Sequence, residues 1–311
     1  MKIGLIGYGS IGERHHRNLT LLKHEIVVLT KRRDVKGVDA ESNWRAFAAR
    51  GPYDVPVVAN ETFKHVPTLS ACLTLKPRAV FVEKPLSQSA QTAAVIARAY
   101  KRAGVSLWVG YNLHFFLPLL RIKKMLTSKK LGKIYAMRVS VGQDLRTWRV
   151  RDYRKGYASS KKAGGGVLLD LIHDINYPAW LLDEPLHAKA AIVKKISRLE
   201  ISSEDFAESL LISKSGVIVS LHQDYVRIPV RRSLEIIAEK GSLMWNSETD
   251  ELTTSMGGGK QKTEHLPVDR NLMYVDEMRA FFTRVQSKKM FSNTDEAVRD
   301  LVEIERIRRC S

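Results

Sequence analysis

Residues 2–12 read Lys-Ile-Gly-Leu-Ile-Gly-Tyr-Gly-Ser-Ile-Gly. An apolar run enters a Gly-x-Gly-x-x-Gly turn at Gly7, Gly9 and Gly12, and a helix-like stretch from Glu13 to Leu22 follows. That order builds a seat for a diphosphate. Gly7 permits the tight turn, Gly9 lets backbone approach phosphate, and Gly12 lets helix and strand touch. The N–H groups and positive end of the helix then face the anion. Tyr8, Ser10 and Ile11 complete the turn. Lys84, in Glu83-Lys84-Pro85, is the second candidate and follows the apolar run Arg78–Val82. Ligands of open α/β sheets lie beyond the carboxyl ends of the strands. A lysine there can act as acid or base on a hydroxyl, or it is a surface lysine in a loop. Lys84-Pro85 is also a candidate cis peptide. Asp170 and His173, behind Gly164-Gly165-Gly166, form the third candidate. Three apart on a helix, they share a face, and Asn176 lies one turn on. Such a pair can polarise a hydroxyl and pass a proton, or it is a hydrogen-bonded pair in a core.

A second apolar run, Glu25 to Leu29, leads into Thr30-Lys31-Arg32-Arg33. NAD sites place a carboxylate near here to hold the ribose 2′-hydroxyl. A hydroxyl and three cations would instead attract a 2′-phosphate, so NADP is favoured over NAD. Asp34 is the nearby acid and lies past the basic cluster. The same residues also read as a solvated loop.

Residues 1 to about 112 alternate strand and helix signals, as a doubly wound parallel sheet should. Tyr53–Ala59, Arg78–Val82 and Leu107–Val109 read as buried strands, and Ser89–Ala103 as a helix ended by Gly104. The pattern then changes. Phe116–Met125 reads as a helix, Ile134–Val141 as a strand, and Gly142–Ala163 as a long basic stretch. A helix is expected from about Leu168 to Leu182. Ala188–Lys195, Phe206–Ser213, Val217–Gln223 and Ser233–Ala238 have strand character and suggest a mostly antiparallel sheet. Tyr274, Met278, Phe281 and Val285 share one face of a late helix, and Thr294 opens a final one. The expected division is a nucleotide-binding domain at 1–112 and an α+β domain at 113–311.

The chain of 311 residues carries 51 Lys+Arg against 33 Asp+Glu, a net charge of +18. The cations are spread in pairs such as Lys123-Lys124, Lys161-Lys162 and Arg231-Arg232. With no basic tail or reading helix, nucleic acid is not the expected partner, and a solvated surface that attracts small anions is. The histidines are scattered and none pairs with a cysteine at ligand spacing, so no metal is expected. No apolar run approaches the roughly 18 residues of a membrane span. Cys72 and Cys310 give no disulfide framework, and a reducing cytoplasm is the expected compartment.

Five pieces in order resemble the Gfo/Idh/MocA oxidoreductases, the glucose–fructose oxidoreductase and inositol dehydrogenase family. They are Gly7–Gly12, Asn60-Glu61-Thr62 with His65, Glu83-Lys84-Pro85, Gly110-Tyr111-Asn112, and the glycine-led Asp170/His173 segment. The resemblance implies a Rossmann domain followed by an α+β domain whose open sheet forms dimers or tetramers. It implies NAD(P)-dependent hydride transfer at a carbinol carbon of a sugar, sugar nucleotide or related polyol. Lys84 matches the catalytic lysine, and Asp170 and His173 the substrate-side acid and histidine. Asn60, Glu61, Thr62, His65, Glu83 and Pro85 would line the cofactor crevice; Tyr111, Asn112 and Asn176 would face substrate. The chain departs from the family pattern in three places. Its histidine follows the aspartate by three residues rather than four, Asn176 replaces a later aspartate, and Glu61-Thr62 replaces Thr-Pro. The short spacing, with Asp152-Tyr153-Arg154-Lys155 and Tyr157 upstream, resembles a subgroup of bacterial surface-sugar biosynthesis. That subgroup implies an activated or acidic amino sugar, with Arg146, Arg149, Arg151 and Arg154 as binders of its phosphate or carboxylate. The same arginines also read as a solvated segment. Some relatives of this fold bind a dinucleotide only to regulate a partner, which is the alternative to an enzyme.

Overall fold

The computed structural model describes residues 1–148 and 152–311. They fall into two compact units: Met1–Asn112 with Tyr274–Leu301, and Leu113–Met273 with Val302–Ser311. The stretch Tyr274–Leu301 thus belongs with the first unit, although 113–311 was expected to stay together.

The first unit is built on a parallel sheet. Its elements in order are β1 (Lys2–Ile6), α1 (Ser10–Leu21), β2 (Glu25–Leu29), β3 (Ala40–Glu41), α2 (Trp44–Ala49), β4 (Val55–Val58), α3 (Thr62–Thr74), β5 (Ala79–Glu83), α4 (Ala90–Ala103) and β6 (Ser106–Gly110). The strand order is β3-β2-β1-β4-β5-β6, with every pair parallel. The order reverses beside β1, where a doubly wound sheet opens its ligand crevice. β4 and β5 are buried at every residue, which their valine-rich runs require. α4 starts at Ser89, whose side chain accepts from Thr92 N, and stops at left-handed Gly104. Leu5, Val57 and Phe81 share a core with Met278, Phe281 and Phe282. The late stretch supplies this apolar face, and Asn293 bonds the Val109 backbone at both N and O.

The second unit holds α5 (Leu117–Thr127), β7 (Ile134–Gly142), α6 (Leu145–Trp148), α7 (Val167–Asp170), α8 (His173–Leu182) and the strands β8 (Leu186–Lys194), β9 (Phe206–Ser213), β10 (Ile218–Asp224), β11 (Arg231–Ala238), β12 (Gly241–Asn246), β13 (Glu251–Met256) and β14 (Lys260–His265). Their order is β14-β13-β12-β11-β7-β10-β9-β8, antiparallel except for β7 with β10. Residues such as Met137, Val139, Leu221, Leu234 and Trp245 face the core, which α8 covers at β7 and β10, while Arg138, Leu210, Ile218 and Met244 point outward and are exposed. The chain closes with α9 (Leu272–Gln286) and α10 (Thr294–Arg309).

One local expectation is overturned. The helix foreseen from about 168 to 182 is two helices, broken at Leu171 and Ile172. The Leu171 carbonyl accepts from Gln223 Nε2 at 2.8 Å, and Leu171 leaves helical geometry at φ −98° and ψ 28°. Asp170 therefore ends one helix and His173 begins the next, rather than sharing one helical face.

Candidate active site

The glycine turn of the first unit has the geometry a diphosphate needs. Gly7 has φ +98°, and a Cβ there would lie 2.6 Å from Asn60 N. A Cβ on Gly12 would overlap the Gly7 carbonyl. At Gly9 the space is open, with nothing within 4 Å of a Cβ position. No side chain caps α1, so its first-turn N–H groups remain for an anion. These residues fit the diphosphate of a dinucleotide. Past β2, Thr30 Oγ1 accepts from Arg32 N at 3.2 Å. The Arg32 guanidinium is bonded to Tyr8 O, Glu13 and Asp34. Lys31 and Arg33 are exposed.

The Glu83-Lys84-Pro85 segment leaves the carboxyl end of β5, and Lys84-Pro85 is cis. Two histidines hold its flanks. His15, wholly buried on α1, places Nε2 2.6 Å from Glu83 Oε1. His65 on α3 places Nδ1 2.8 Å from Pro85 O and Nε2 3.0 Å from Asn60 O. His65 is thus a tie between two turns. Burial pushes its imidazole below the usual range, against the two carbonyls, which favour the charged form. Glu277 on α9 lies buried near Glu83, and burial, then the Glu83 charge, pushes its carboxyl well above the usual range. Asn60 Nδ2 donates to Thr68, Thr62 is buried at the start of α3, and Glu61 pairs with Lys64 at 2.8 Å. Tyr111, expected to face substrate, is buried, and its hydroxyl donates to Asp300 at 2.6 Å; Asn112 is buried as well.

In the second unit Asp170 is buried between two phenols. Tyr157 donates to Oδ1 at 2.6 Å and Tyr225 to Oδ2 at 2.8 Å. Burial, then the Asp170 charge, pushes the Tyr225 hydroxyl well above its usual range, so it stays a donor. Asn176 Oδ1 lies 2.7 Å from His114 Nε2, and the His114 ring stacks on Trp180. Arg154 forks onto Asp152 and reaches Glu200, and Arg146 forks onto Asp144. Both guanidiniums already hold carboxylates. Arg149 and Arg151 lie outside the described residues. Sequence reasoning missed His15, His114 and Tyr225, which carry no spacing signal. Among the described residues no group of three His, Cys, Asp or Glu side chains is placed to hold a metal ion. No described helix is long and apolar enough to cross a membrane.

Comparison with known proteins gives this geometry its context. Residues 1–111 match the model of an oxidoreductase family with an NAD-binding Rossmann fold, and residues 119–244 match the Gfo/Idh/MocA C-terminal domain. The chain belongs to the Gfo/Idh/MocA family. It is thereby a member of a family of NAD(P)-dependent dehydrogenases and reductases. It is 24% identical over 306 residues to the myo-inositol 2-dehydrogenase of Thermotoga maritima, covering 92% of this chain and 89% of that one. It is 23% identical over 264 residues to the glucose-6-phosphate 3-dehydrogenase of Bacillus subtilis, covering 77% of this chain and 74% of that one. The crystal structure of GenD2 from gentamicin A biosynthesis, in complex with NAD, superposes with a TM-score of 0.84 at 22% identity, over 100% of this chain and 93% of that one. That likeness is one of fold.

Proposed function

We propose that this Gfo/Idh/MocA oxidoreductase moves hydride between NADP(H) and a carbinol or carbonyl carbon of a sugar, sugar nucleotide or related polyol. The observation that carries the reading is the open Gly9 position before the uncapped α1, with Lys84 leaving the carboxyl end of β5, two strands from β1 in the same parallel sheet. A bound nicotinamide supplies the hydride acceptor or donor. Gly7 to Gly12 and α1 would hold the diphosphate, and the exposed Lys31 and Arg33 would favour the 2′-phosphate. Lys84 exchanges a proton with the substrate oxygen. Asp170, fixed by Tyr157 and Tyr225, and His173 are the second unit's candidates for orienting and polarising a substrate hydroxyl. Support for the substrate class comes from the relatives, which are named for inositol and a sugar phosphate. The uncovered face of the second unit's sheet is the surface we assign to pairing with another copy, as a dimer or tetramer. Cys72 and Cys310 are both free thiols, which suits a reducing cytoplasm.

The test is a fluorescence titration with NADPH and with NADH, followed by a turnover screen of polyols, sugars and sugar nucleotides. Tighter NADPH binding and turnover of one such compound are expected. A protein that binds dinucleotide but turns over none of them points to a regulator of the same fold. A protein that binds neither cofactor overturns the reading.

A further inference from the structure

The basic residues past β2 are not alike in the structure. Arg32 is folded onto the glycine turn. Its Nη1 donates to Tyr8 O at 2.8 Å and to the Glu13 carboxylate, and its Nε and Nη2 donate to the two oxygens of Asp34 at 2.9 and 2.7 Å. Four of its five N–H groups are engaged by these contacts. Its side chain is 25% exposed, and its guanidinium carbon lies 5.8 Å from the centre of the Tyr8 ring. Hydrogen bonds from Asp34, then Glu13, reinforce its charge. Lys31 and Arg33 are exposed and form no ion pair among the described residues.

A side chain that reads a phosphate presents free N–H pairs to a dianion. Arg32 has one N–H left, and the two carboxylates that hold it would stand beside the phosphate with like charge. Its fork does something else. It joins the carbonyl of the turn residue Tyr8 to Glu13 on α1 and to Asp34 beyond β2, and so fixes the loop on which any diphosphate rests.

We propose that Arg32 is a strut of the glycine turn that NAD(H) and NADP(H) require equally, and that Lys31 and Arg33, with the Thr30 hydroxyl, are what distinguish the two. This rests on the dinucleotide reading of the site. Arg32 is then a positioning residue, and Asp34 is the acid that withdraws it from the ribose rather than a ribose ligand.

The experiment titrates each variant with NADPH and NADH by cofactor fluorescence and follows melting of the ligand-free protein in parallel. Arg32→Ala is expected to weaken both cofactors by a common factor, on the order of tenfold. It should also lower the ligand-free melting temperature by about 2–4 °C. Lys31→Ala with Arg33→Ala is expected to weaken NADPH by about tenfold or more, NADH by less than about twofold, and to leave melting unchanged. Arg32→Lys keeps the charge but cannot span the three acceptors, so it is expected to lose both cofactors in parallel. It decides the matter should the alanine variant not fold. Loss of NADPH alone in Arg32→Ala, or undiminished binding of both cofactors in Arg32→Lys, overturns the proposal. Wild-type protein that binds neither dinucleotide overturns the underlying reading, and that is seen before any variant is made.

Discussion

His15 Nε2 sits 2.6 Å from Glu83 Oε1, in the interior of the first unit. The helix that begins at the glycine turn is thereby fastened to the residue that precedes Lys84. Replacing His15 by Ala leaves the buried Glu83 without this partner and next to the buried Glu277. A loss of about 1–3 kcal/mol is expected, read as a lower urea midpoint. An unchanged midpoint would show that the contact contributes nothing to stability.

Glu277 makes stability depend on pH. Its folded carboxyl titrates well above the ordinary value of 4.5, through burial and then through Glu83. The folded state therefore holds this proton more tightly than the unfolded chain does. The resulting stability is complete below about 4.5 and is lost as pH rises through the folded value. Glu277→Gln should flatten this fall when melting is followed from pH 4 upward. A variant whose melting curve tracks wild type across that range would contradict the assignment.

Gly9 and Gly12 should separate fold from binding. Gly9→Ala places a methyl in open space, so melting should be unchanged while NADPH and NADH both bind more weakly, because the diphosphate would meet that methyl. Gly12→Ala overlaps the Gly7 carbonyl and should lower the melting temperature as well. Equal melting for the two variants would mean the turn relaxes around either methyl.

Lys84→Ala should cut turnover by roughly 10²–10⁴-fold, the usual worth of an acid–base group, with dinucleotide binding largely intact. Near-wild-type turnover would remove Lys84 from the chemistry.

Tyr225→Phe deletes one of the two phenol donors that Asp170 accepts. The buried carboxylate then loses a charge-assisted bond, and stability should drop by about 1–3 kcal/mol in urea unfolding. Tyr157→Phe removes the donor on the less buried side. We expect it to lower turnover more than it lowers stability, and the reverse ranking would make Tyr157 structural.

The parallel sheet was readable because β4 and β5 are unbroken valine-rich runs, buried at every residue. β13 and β14 were not, because Thr253-Thr254-Ser255 are half-buried polar residues, Lys260–His265 is largely exposed, and neither stretch carries apolar alternation. The break after Asp170 was hidden for another reason. At the break the Leu171 carbonyl accepts from Asp174 N and from Gln223, 52 residues on, a partner that no local pattern announces. Candidate site residues with chemical side chains stood out in the sequence, but their partners did not. Tyr225 is 55 residues from Asp170, and His15 is 68 from Glu83. His15 sits in Glu-Arg-His-His-Arg, which reads as a solvated helix until the fold buries it. Glu277 likewise interrupts an apolar stripe and gives no sign that it faces inward.

The two imidazoles that flank Lys84 decide which part of the chain sets that lysine's backbone. His15 and His65 both belong to the first unit, as do the Glu83 and Pro85 groups they grip. The backbone footing on either side of the lysine thus lies wholly within the first unit. A substitution in the second unit leaves both of these ties, on either side of Lys84, in place.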